Sequence, residues 1–149
     1  MIRDLLSYRL HVVANLLSRG AELRYRREFG VSLWEWRTVA LLGAAAGPLS
    51  LSELARSAGI HKSQMSRVVS GLAKRRIVLR EDHPDDGRGV RLALSRTGRK
   101  LYAGLIHAAE LRDRAFNHCL SSNERQVFDR VLVKLAGQAR HLIQKEKTG

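Results

Sequence analysis

The sequence predicts a mainly helical α+β fold in which a short β-hairpin separates four helices from two more, in the order α-α-α-α-β-β-α-α. Three observations predict it. Apolar residues recur every three or four positions along most of the chain, Ser-x-x-Glu capping boxes occur three times, and two short apolar runs flank a turn-rich segment at 83–89. At 149 residues, the chain is long enough to bury one continuous core without disulfides or metal.

The first two helices are indicated by an apolar stripe and by a capping box. Apolar residues lie on one helical face between 5 and 23, and we expect this helix to end near Gly30. Ser32 and Glu35 have the spacing of a capping box. A second helix therefore follows, and Gly47-Pro48 ends it.

The next two helices form a closely spaced pair. Ser50 and Glu53 repeat the capping box and open a short helix that Gly59 closes. A basic amphipathic helix then spans about 61–76. Two helices joined by one tight turn predict a helix-turn-helix.

A hairpin follows this pair. The runs 77–80 and 90–94 are typical of short strands, and the Gly-punctuated segment between them predicts a projecting loop. Strand, loop and strand together form a wing beside the helix-turn-helix.

Two long helices complete the chain. Ser95 is expected to cap a helix over about 96–119. Ser121 and Glu124 form the third capping box, and the last helix reaches about Lys145 before fraying.

The charge balance points to a polyanionic partner. The chain has 27 Lys or Arg against 14 Asp or Glu, a formal charge of +13 and a pI near 11.2. Nucleic acid is the first expectation, and an anionic membrane surface or an acidic protein is the second. The stretch from Arg56 to Lys100 holds 12 basic and 4 acidic residues, so the positive charge is concentrated in the helix-turn-helix and hairpin.

Cysteine count and hydropathy predict a soluble cytoplasmic protein. Cys119 is the one cysteine, which excludes an intramolecular disulfide and a Cys-rich zinc site. Charges interrupt the first twenty residues, unlike a secretory signal, and the apolar stretch 39–46 is too short to cross a bilayer.

The fourth helix carries the side chains suited to reading DNA. Short hydroxyls, amides and arginines near a helix N-terminus can meet the donor and acceptor pattern of base edges in the major groove. We expect base contacts from Ser63, Gln64, Ser66 and Arg67 and phosphate contacts from Lys62, Lys74 and Arg75. The apolar residues that hold this helix down are Ile60, Met65, Val68, Val69 and Leu72. A solvated basic face on an ordinary globular helix is the simpler alternative.

The hairpin loop supplies a second DNA-binding element. Arg88 stands between two glycines at the tip, where it is expected to enter a narrow minor groove, and Asp86 is expected to brace its guanidinium. A solvated turn with a weak local ion pair is the alternative.

These motifs resemble the multiple-antibiotic-resistance regulator (MarR) family of winged-helix transcription factors over nearly the whole chain. The resemblance rests on residues 49–81, LSLSELARSAGIHKSQMSRVVSGLAKRRIVLRE, and on the wing signature DGRGVRLALSRTG. In that signature the matching residues are Asp86, Arg88, Leu94, Ser95 and Gly98. The chain departs from the family's pattern at three positions. Ser95 replaces a threonine, His61 stands where an acidic or amide cap is common, and Arg76 stands where glycine is frequent.

The resemblance implies a homodimer on double-stranded DNA. Helices within 1–31 and 96–149 of both chains would interlock, and the winged modules, residues 32–95, would bind successive major grooves of a palindromic operator. The terminal apolar stripes independently favour a two-fold dimer, which would place half-sites roughly 10 bp apart. Most members are repressors that a small ligand releases from DNA. The alternative is a basic nucleic-acid-binding protein without sequence preference, such as a chromosome-compacting or RNA-associated factor.

A small set of residues is suited to binding a small effector. The resemblance implies a cleft between the dimerising helices and the winged module, and an aromatic carboxylate would suit its aromatic and cationic lining. The candidates are Tyr8, Arg9, His11, Asn15, Trp36 and Arg37. A structural role is the preferred interpretation for three of them. Trp36 is expected in the core, and His11 and Asn15 are expected to make polar contacts at the dimer interface.

An enzyme is not expected, and neither is a cofactor or a metal. The chain has no P-loop, GxSxG, HExxH or GxGxxG motif. His83, Asp85 and Asp86 fall in one loop without a fourth ligand placed by spacing. Cys119 has no partner thiol, so packing is preferred over peroxide sensing.

Overall fold

The computed structural model describes residues 1–83 and 89–148. A single 3₁₀ turn, Ile2–Asp4, precedes the regular elements. The helices are α1 (Leu6–Phe29), α2 (Leu33–Ala44), α3 (Leu51–Ala58), α4 (Lys62–Lys74), α5 (Arg96–His118) and α6 (Ser122–Thr148), and the strands are β1 (Val78–His83) and β2 (Gly89–Leu94).

The order of elements and the mainly helical class agree with the sequence prediction, and the differences lie at element ends. β1 starts at Val78 because Ile77 belongs to the turn that ends α4, where its N–H donates to the carbonyl oxygen of Leu72. α6 continues to Thr148 instead of fraying after Lys145. The strands pair antiparallel, with Val78 opposite Leu94 at the base of the hairpin.

The three predicted capping boxes are present. Each serine hydroxyl accepts from the backbone N–H three residues later, and each glutamate accepts from the serine N–H, with distances between 2.7 and 3.2 Å. Each box satisfies two N–H groups that a helix start otherwise leaves unpaired. The boxes therefore fix where α2, α3 and α6 begin.

The core of the winged segment lies between α2, α3, α4 and the hairpin. Val39, Leu54 and Leu72 are fully or almost fully buried. Buried Thr38 donates its hydroxyl to the sulfur of Met65 at 3.5 Å, which joins α2 to α4 without an unsatisfied polar group. This packing holds α4 against the rest of the module.

Glycines allow the first turns of α5 to approach other elements closely. A Cβ at Gly98 would collide with the carbonyl oxygen of Ile77, and one at Gly104 would lie 2.9 Å from the ring of Phe29. Real Cβ atoms essentially never come this close to other heavy atoms, so the start of α5 packs tightly against Ile77 and Phe29.

The chain divides by its internal contacts into two units, Met1–His107 and Ala108–Gly149. In the first unit, α1 leaves many large apolar side chains exposed, and these are Leu6, Val12, Val13, Leu16, Leu17 and Leu23. In the second unit, the exposed apolar side chains include Leu111, Phe116, Val127, Phe128, Val131, Leu132, Leu142 and Ile143. No helix within residues 1–83 and 89–148 has the combined length and apolar character that a membrane crossing requires.

Candidate nucleic-acid interface

The turn between α3 and α4 is set by Gly59. This residue adopts the left-handed conformation with φ 69°, which an L side chain rarely takes, and its N–H donates to the carbonyl oxygen of Arg56. Ile60 then donates to the carbonyl of Ala55. The two bonds form the Schellman arrangement that stops α3 and redirects the chain into α4.

α4 begins without a side-chain cap. His61 is the N-cap residue in extended geometry, and its side chain makes no capping hydrogen bond. The departure at His61 therefore leaves the start of α4 where the sequence predicts it, within one residue. The first backbone N–H groups of α4 remain open to an external acceptor.

The two faces of α4 have opposite character. Met65, Val69 and Leu72 are at most 2% exposed and attach the helix to the core. The predicted DNA-contacting residues of α4 that lie exposed are Lys62, Ser63, Gln64, Arg67 and Lys74. A helix with one buried apolar face and one exposed row of hydroxyl, amide and cationic groups presents hydrogen-bonding groups to a partner.

Ser66 lies deeper than the other predicted base-contacting residues. It is half-buried and lines a 190 Å³ depression with Arg80 of β1 and Val90 of β2. Ser70, one turn further along α4, accepts a 3.1 Å hydrogen bond from Arg80. This side of α4 therefore faces the hairpin.

Arg75 is engaged within the fold. Its guanidinium lies 3.4 Å from the carboxylate of Glu35, the residue that also completes the capping box of α2. The pair is partly exposed, with 42% of the Arg75 side chain accessible, so its contribution to stability is at most about 1 kcal/mol. A phosphate contact by Arg75 stays a prediction, and it would compete with Glu35.

α4 ends on an arginine in the left-handed conformation. Arg76 has φ 55°, its N–H donates to Ala73, and Ile77 donates to Leu72, which is again the Schellman arrangement. Glycine is the residue suited to this position, and an L residue there costs about 1–2 kcal/mol. Arg76 thus adopts the left-handed conformation that glycine would take, at the cost of backbone strain.

Ser95 joins the end of α4 to the start of α5. Its hydroxyl donates to the carbonyl oxygen of Arg76 at 2.6 Å and accepts from the N–H of Gly98 at 2.9 Å. Its own N–H donates to the carbonyl oxygen of Ile77. Serine in place of the family's threonine supplies the one hydroxyl that this junction uses.

Strand β2 is anchored to α3 by Arg91. Its guanidinium donates to Glu53 and to the carbonyl oxygen of Pro48, each at 3.0 Å, and only 15% of the side chain is exposed. Leu92 exchanges backbone hydrogen bonds with Leu49, which adds a short third bridge beside the two strands.

Hydrogen bonding stabilises the charged form of Glu53. The backbone N–H of Ser50 contributes most, the Ser50 side chain comes next, and the charges of Arg91 and Arg56 add to the effect. Together they hold the pKa of this exposed carboxyl below its ordinary value.

Asp86 and Arg88 lie outside the described residues, so minor-groove insertion by Arg88 and its bracing by Asp86 remain predictions. The described parts of the hairpin are its two strands.

The structure places the six effector candidates in different surroundings. Tyr8 and Arg9 border a 430 Å³ depression along α1. His11 hydrogen-bonds Asn15 at 2.9 Å on an exposed part of the same helix. Trp36 packs on Tyr25 with ring centroids 5.0 Å apart, which agrees with a structural role.

Arg37 is also occupied within the fold. It donates to the hydroxyl of Ser18 at 3.1 Å, and its guanidinium lies 4.9 Å from the centre of the Trp34 ring. The bond to Ser18 links α2 to α1, and the contact with Trp34 lies within α2.

Cys119 is exposed, contrary to the packing interpretation, because it follows the last turn of α5, where its thiol donates to the carbonyl oxygen of Phe116. No three His, Cys, Asp or Glu side chains within the described part of the chain are grouped as metal ligands. Asp85 and Asp86 lie outside that part.

Sequence reasoning missed two arginines on the strands of the hairpin. Arg80 and Arg91 have partners on α4 and α3, and 38 positions separate Arg91 from Glu53. Local spacing carries no information on contacts at that separation. The alternation of β2 offered one signal, because it places partly buried Arg91 on the face opposite buried Leu92 and Leu94.

Comparison with protein families and solved structures gives one consistent result. Residues 29–89 match the sequence model of the MarR family. That range contains α2, α3, α4 and the start of the hairpin. No curated protein matches closely enough to count as a relative.

Solved structures match nearly the full length. A MarR/EmrR family transcriptional regulator from Acinetobacter sp. ADP1 is 23% identical with a TM-score of 0.84, covering 91% of this chain and 94% of that chain. A MarR family regulator from Silicibacter pomeroyi is 24% identical with a TM-score of 0.75, covering 93% and 92%. The MepR protein of S. aureus, solved as a complex with DNA, is 17% identical with a TM-score of 0.83, covering 90% and 98%. The chain therefore has the winged-helix fold of these transcriptional regulators.

Proposed function

From the premise that residues 29–89 carry the winged-helix segment of the MarR family, we propose that the chain is a DNA-binding transcriptional regulator. It acts as a homodimeric repressor on a palindromic operator, and a small aromatic or anionic ligand releases it. The solved DNA complex of MepR, which has the same fold, supports DNA as the partner.

The face of α4 is the observation that carries this proposal. Ser63, Gln64 and Arg67 project from a helix whose other side is fixed in the core by Met65 and Leu72. A rigid helix with exposed donors and acceptors fits the major groove, where each base pair has its own pattern. Ser66 lies near the hairpin, so its base contact would come from the edge of this face.

Cationic groups beside the reading face would contact phosphates. Lys62 at the start of α4 and Lys74 at its end are exposed and have no ion pair among the described residues. The open N–H groups that follow His61 add donors for a phosphate oxygen. Phosphate contacts set the position of the helix, and base contacts set its specificity.

The dimer is supported by apolar surface that a monomer would leave in water. α1 and the unit formed by residues 108–148 each expose large aliphatic or aromatic side chains along much of their length. A depression of 410 Å³ on α6, lined by Val127, Phe128 and Val131, lies in the second of these surfaces. Monomeric soluble proteins rarely expose contiguous apolar patches of this kind, and a two-fold dimer buries them on each other.

A footprint on genomic fragments at moderate salt tests the proposal. A sequence-specific dimer protects a single palindrome with half-sites roughly 10 bp apart. It retains this site when added salt has removed the protein from other DNA.

The same footprint distinguishes the regulator from the alternative function. Uniform protection without a preferred site, lost everywhere together as salt rises, would establish a sequence-neutral binding protein and overturn the regulator.

Release from DNA by a ligand is tested separately, with variants of two effector candidates on α1. Aromatic carboxylates are screened for release of the bound operator, and Arg9→Ala and His11→Ala are then compared with the wild type. Weaker release by either variant supports a site on α1. Unchanged release by both variants places the ligand elsewhere.

A further inference from the structure

Arg76 combines an unfavourable backbone conformation with a side chain that the described fold does not use. Its φ is 55°, and the residue is exposed. Its backbone is fully engaged, by Ala73 through its N–H and by Ser95 through its carbonyl. Within residues 1–83 and 89–148, however, its guanidinium makes no hydrogen bond or ion pair.

Three more cations lie next to Arg76 on α5. The Ser95 hydrogen bond brings the end of α4 to the residue that precedes Arg96. Arg96, Arg99 and Lys100 are all exposed, and their spacing of three and four positions places them on one face of the helix. We name the set of Arg76, Arg96, Arg99 and Lys100 the α4–α5 cationic surface.

No acidic side chain close in sequence balances this surface. The chain has no Asp or Glu from 54 to 80 or from 92 to 109. Glu35, the carboxylate that reaches the end of α4, already accepts from Arg75 and from the N–H of Ser32. Neighbouring like charges repel each other, so the surface favours a partner with several negative charges.

We propose that the α4–α5 cationic surface binds backbone phosphates of the DNA outside the base pairs that α4 reads. The proposal rests on the proposed function and extends its interface to a second patch on the same module. It also gives a use to the exposed side chain of a residue that holds a left-handed conformation. Strained residues persist where their side chains have a use that the fold alone does not show.

The test compares three proteins on two duplexes. Arg76→Gly removes the cation and relieves the strained conformation, and Arg96→Gln with Arg99→Gln removes two cations from a helix surface that tolerates glutamine. Arg140→Gln, at an exposed arginine of α6, is the control. One duplex ends at the footprinted base pairs, and the other extends about one helical turn further on each side.

The expected result separates stability from binding. Wild-type protein binds the extended duplex more tightly than the short one. Each lost contact weakens binding to the extended duplex about fivefold near 0.15 M salt and lowers the slope of log K against log salt by about 0.9. Arg76→Gly binds more weakly although its melting temperature rises by about 2–4 °C.

Two results would overturn the inference. If Arg76→Gly and the double variant bind both duplexes as Arg140→Gln does, the surface has no role at DNA, and the proposed function stands. If the wild-type chain binds neither duplex, the regulator itself is wrong, and this interface fails with it.

Discussion

The hydroxyl of Ser95 contacts the carbonyl oxygen of Arg76 at 2.6 Å and the N–H of Gly98 at 2.9 Å, so one side chain joins the end of α4 to the start of α5. Ser95→Ala removes both bonds and is expected to lower the free energy of unfolding by about 1–2 kcal/mol. Ser95→Thr keeps the hydroxyl and serves as the control. Urea unfolding measures both, and an unchanged midpoint for Ser95→Ala would contradict the role assigned to this junction.

Gly98 is expected to tolerate no larger residue. A methyl group there would meet the carbonyl oxygen of Ile77, which the Ser95 N–H holds in place. Gly98→Ala should therefore destabilise the protein by about 1–3 kcal/mol. Gly71→Ala is the matched control within α4, because its nearest neighbour is the Glu35 side chain at 3.8 Å, and it should stabilise by about 0.5–1 kcal/mol. Thermal unfolding of both variants checks the opposite signs.

Arg67 and Lys74 are expected to affect DNA binding in different ways. Arg67→Ala removes a predicted base contact, so it should cost about 1–3 kcal/mol and relax preference at one base position. Lys74→Ala removes a predicted phosphate contact, so it should weaken all sequences alike and reduce the salt slope by about one. Titration with operator and scrambled duplexes distinguishes them. Equal loss on both duplexes for Arg67→Ala would show that Arg67 does not read a base.

Glu53 is expected to make stability depend on acid. Its pKa is lower in the folded chain, so its stabilisation is present above the unfolded value of about 4.3 and is lost as pH falls through the folded pKa. Glu53→Gln should be less stable than wild type at neutral pH, and the difference should shrink below about pH 4. Melting temperatures from pH 7 to pH 3 measure it, with Glu146→Gln on exposed α6 as the control. A difference that stays constant with pH would exclude the charge of Glu53 as the cause.

Val127 tests the proposed dimer. It lies in the apolar depression on α6 and is 40% exposed in the single chain. Val127→Asp would place a charge in the buried interface, so the variant should sediment as a monomer at concentrations where the wild type is a dimer. Arg130→Asp, an exposed position on the same helix, is the control for added negative charge. A dimeric Val127→Asp variant would move the interface away from this surface.

The parts of the fold that local chemistry determines could be predicted from the sequence. Ser32, Ser50 and Ser121 begin their helices because a hydroxyl and a carboxylate three residues later can satisfy the first N–H groups. Gly59 ends α3 for an equally local reason. These signals are sufficient for the order of elements and for the exposed face of α4.

Contacts between distant segments could not be predicted. Arg75 pairs with Glu35 across 40 positions, and Arg37 reaches Ser18 across 19. Tertiary packing decides which arginine of a basic run is engaged inside the fold and which stays exposed, and spacing along the chain contains no such information. For the same reason the effector candidates, chosen along one helix and the start of the next, are separated in the structure.

Arg91 contacts both Glu53 and Pro48, and Leu92 bridges to Leu49, so β2 is fastened to the beginning of α3. Any displacement of the described strands relative to α3 would therefore have to break the Arg91 hydrogen bonds or the Leu49–Leu92 bridge.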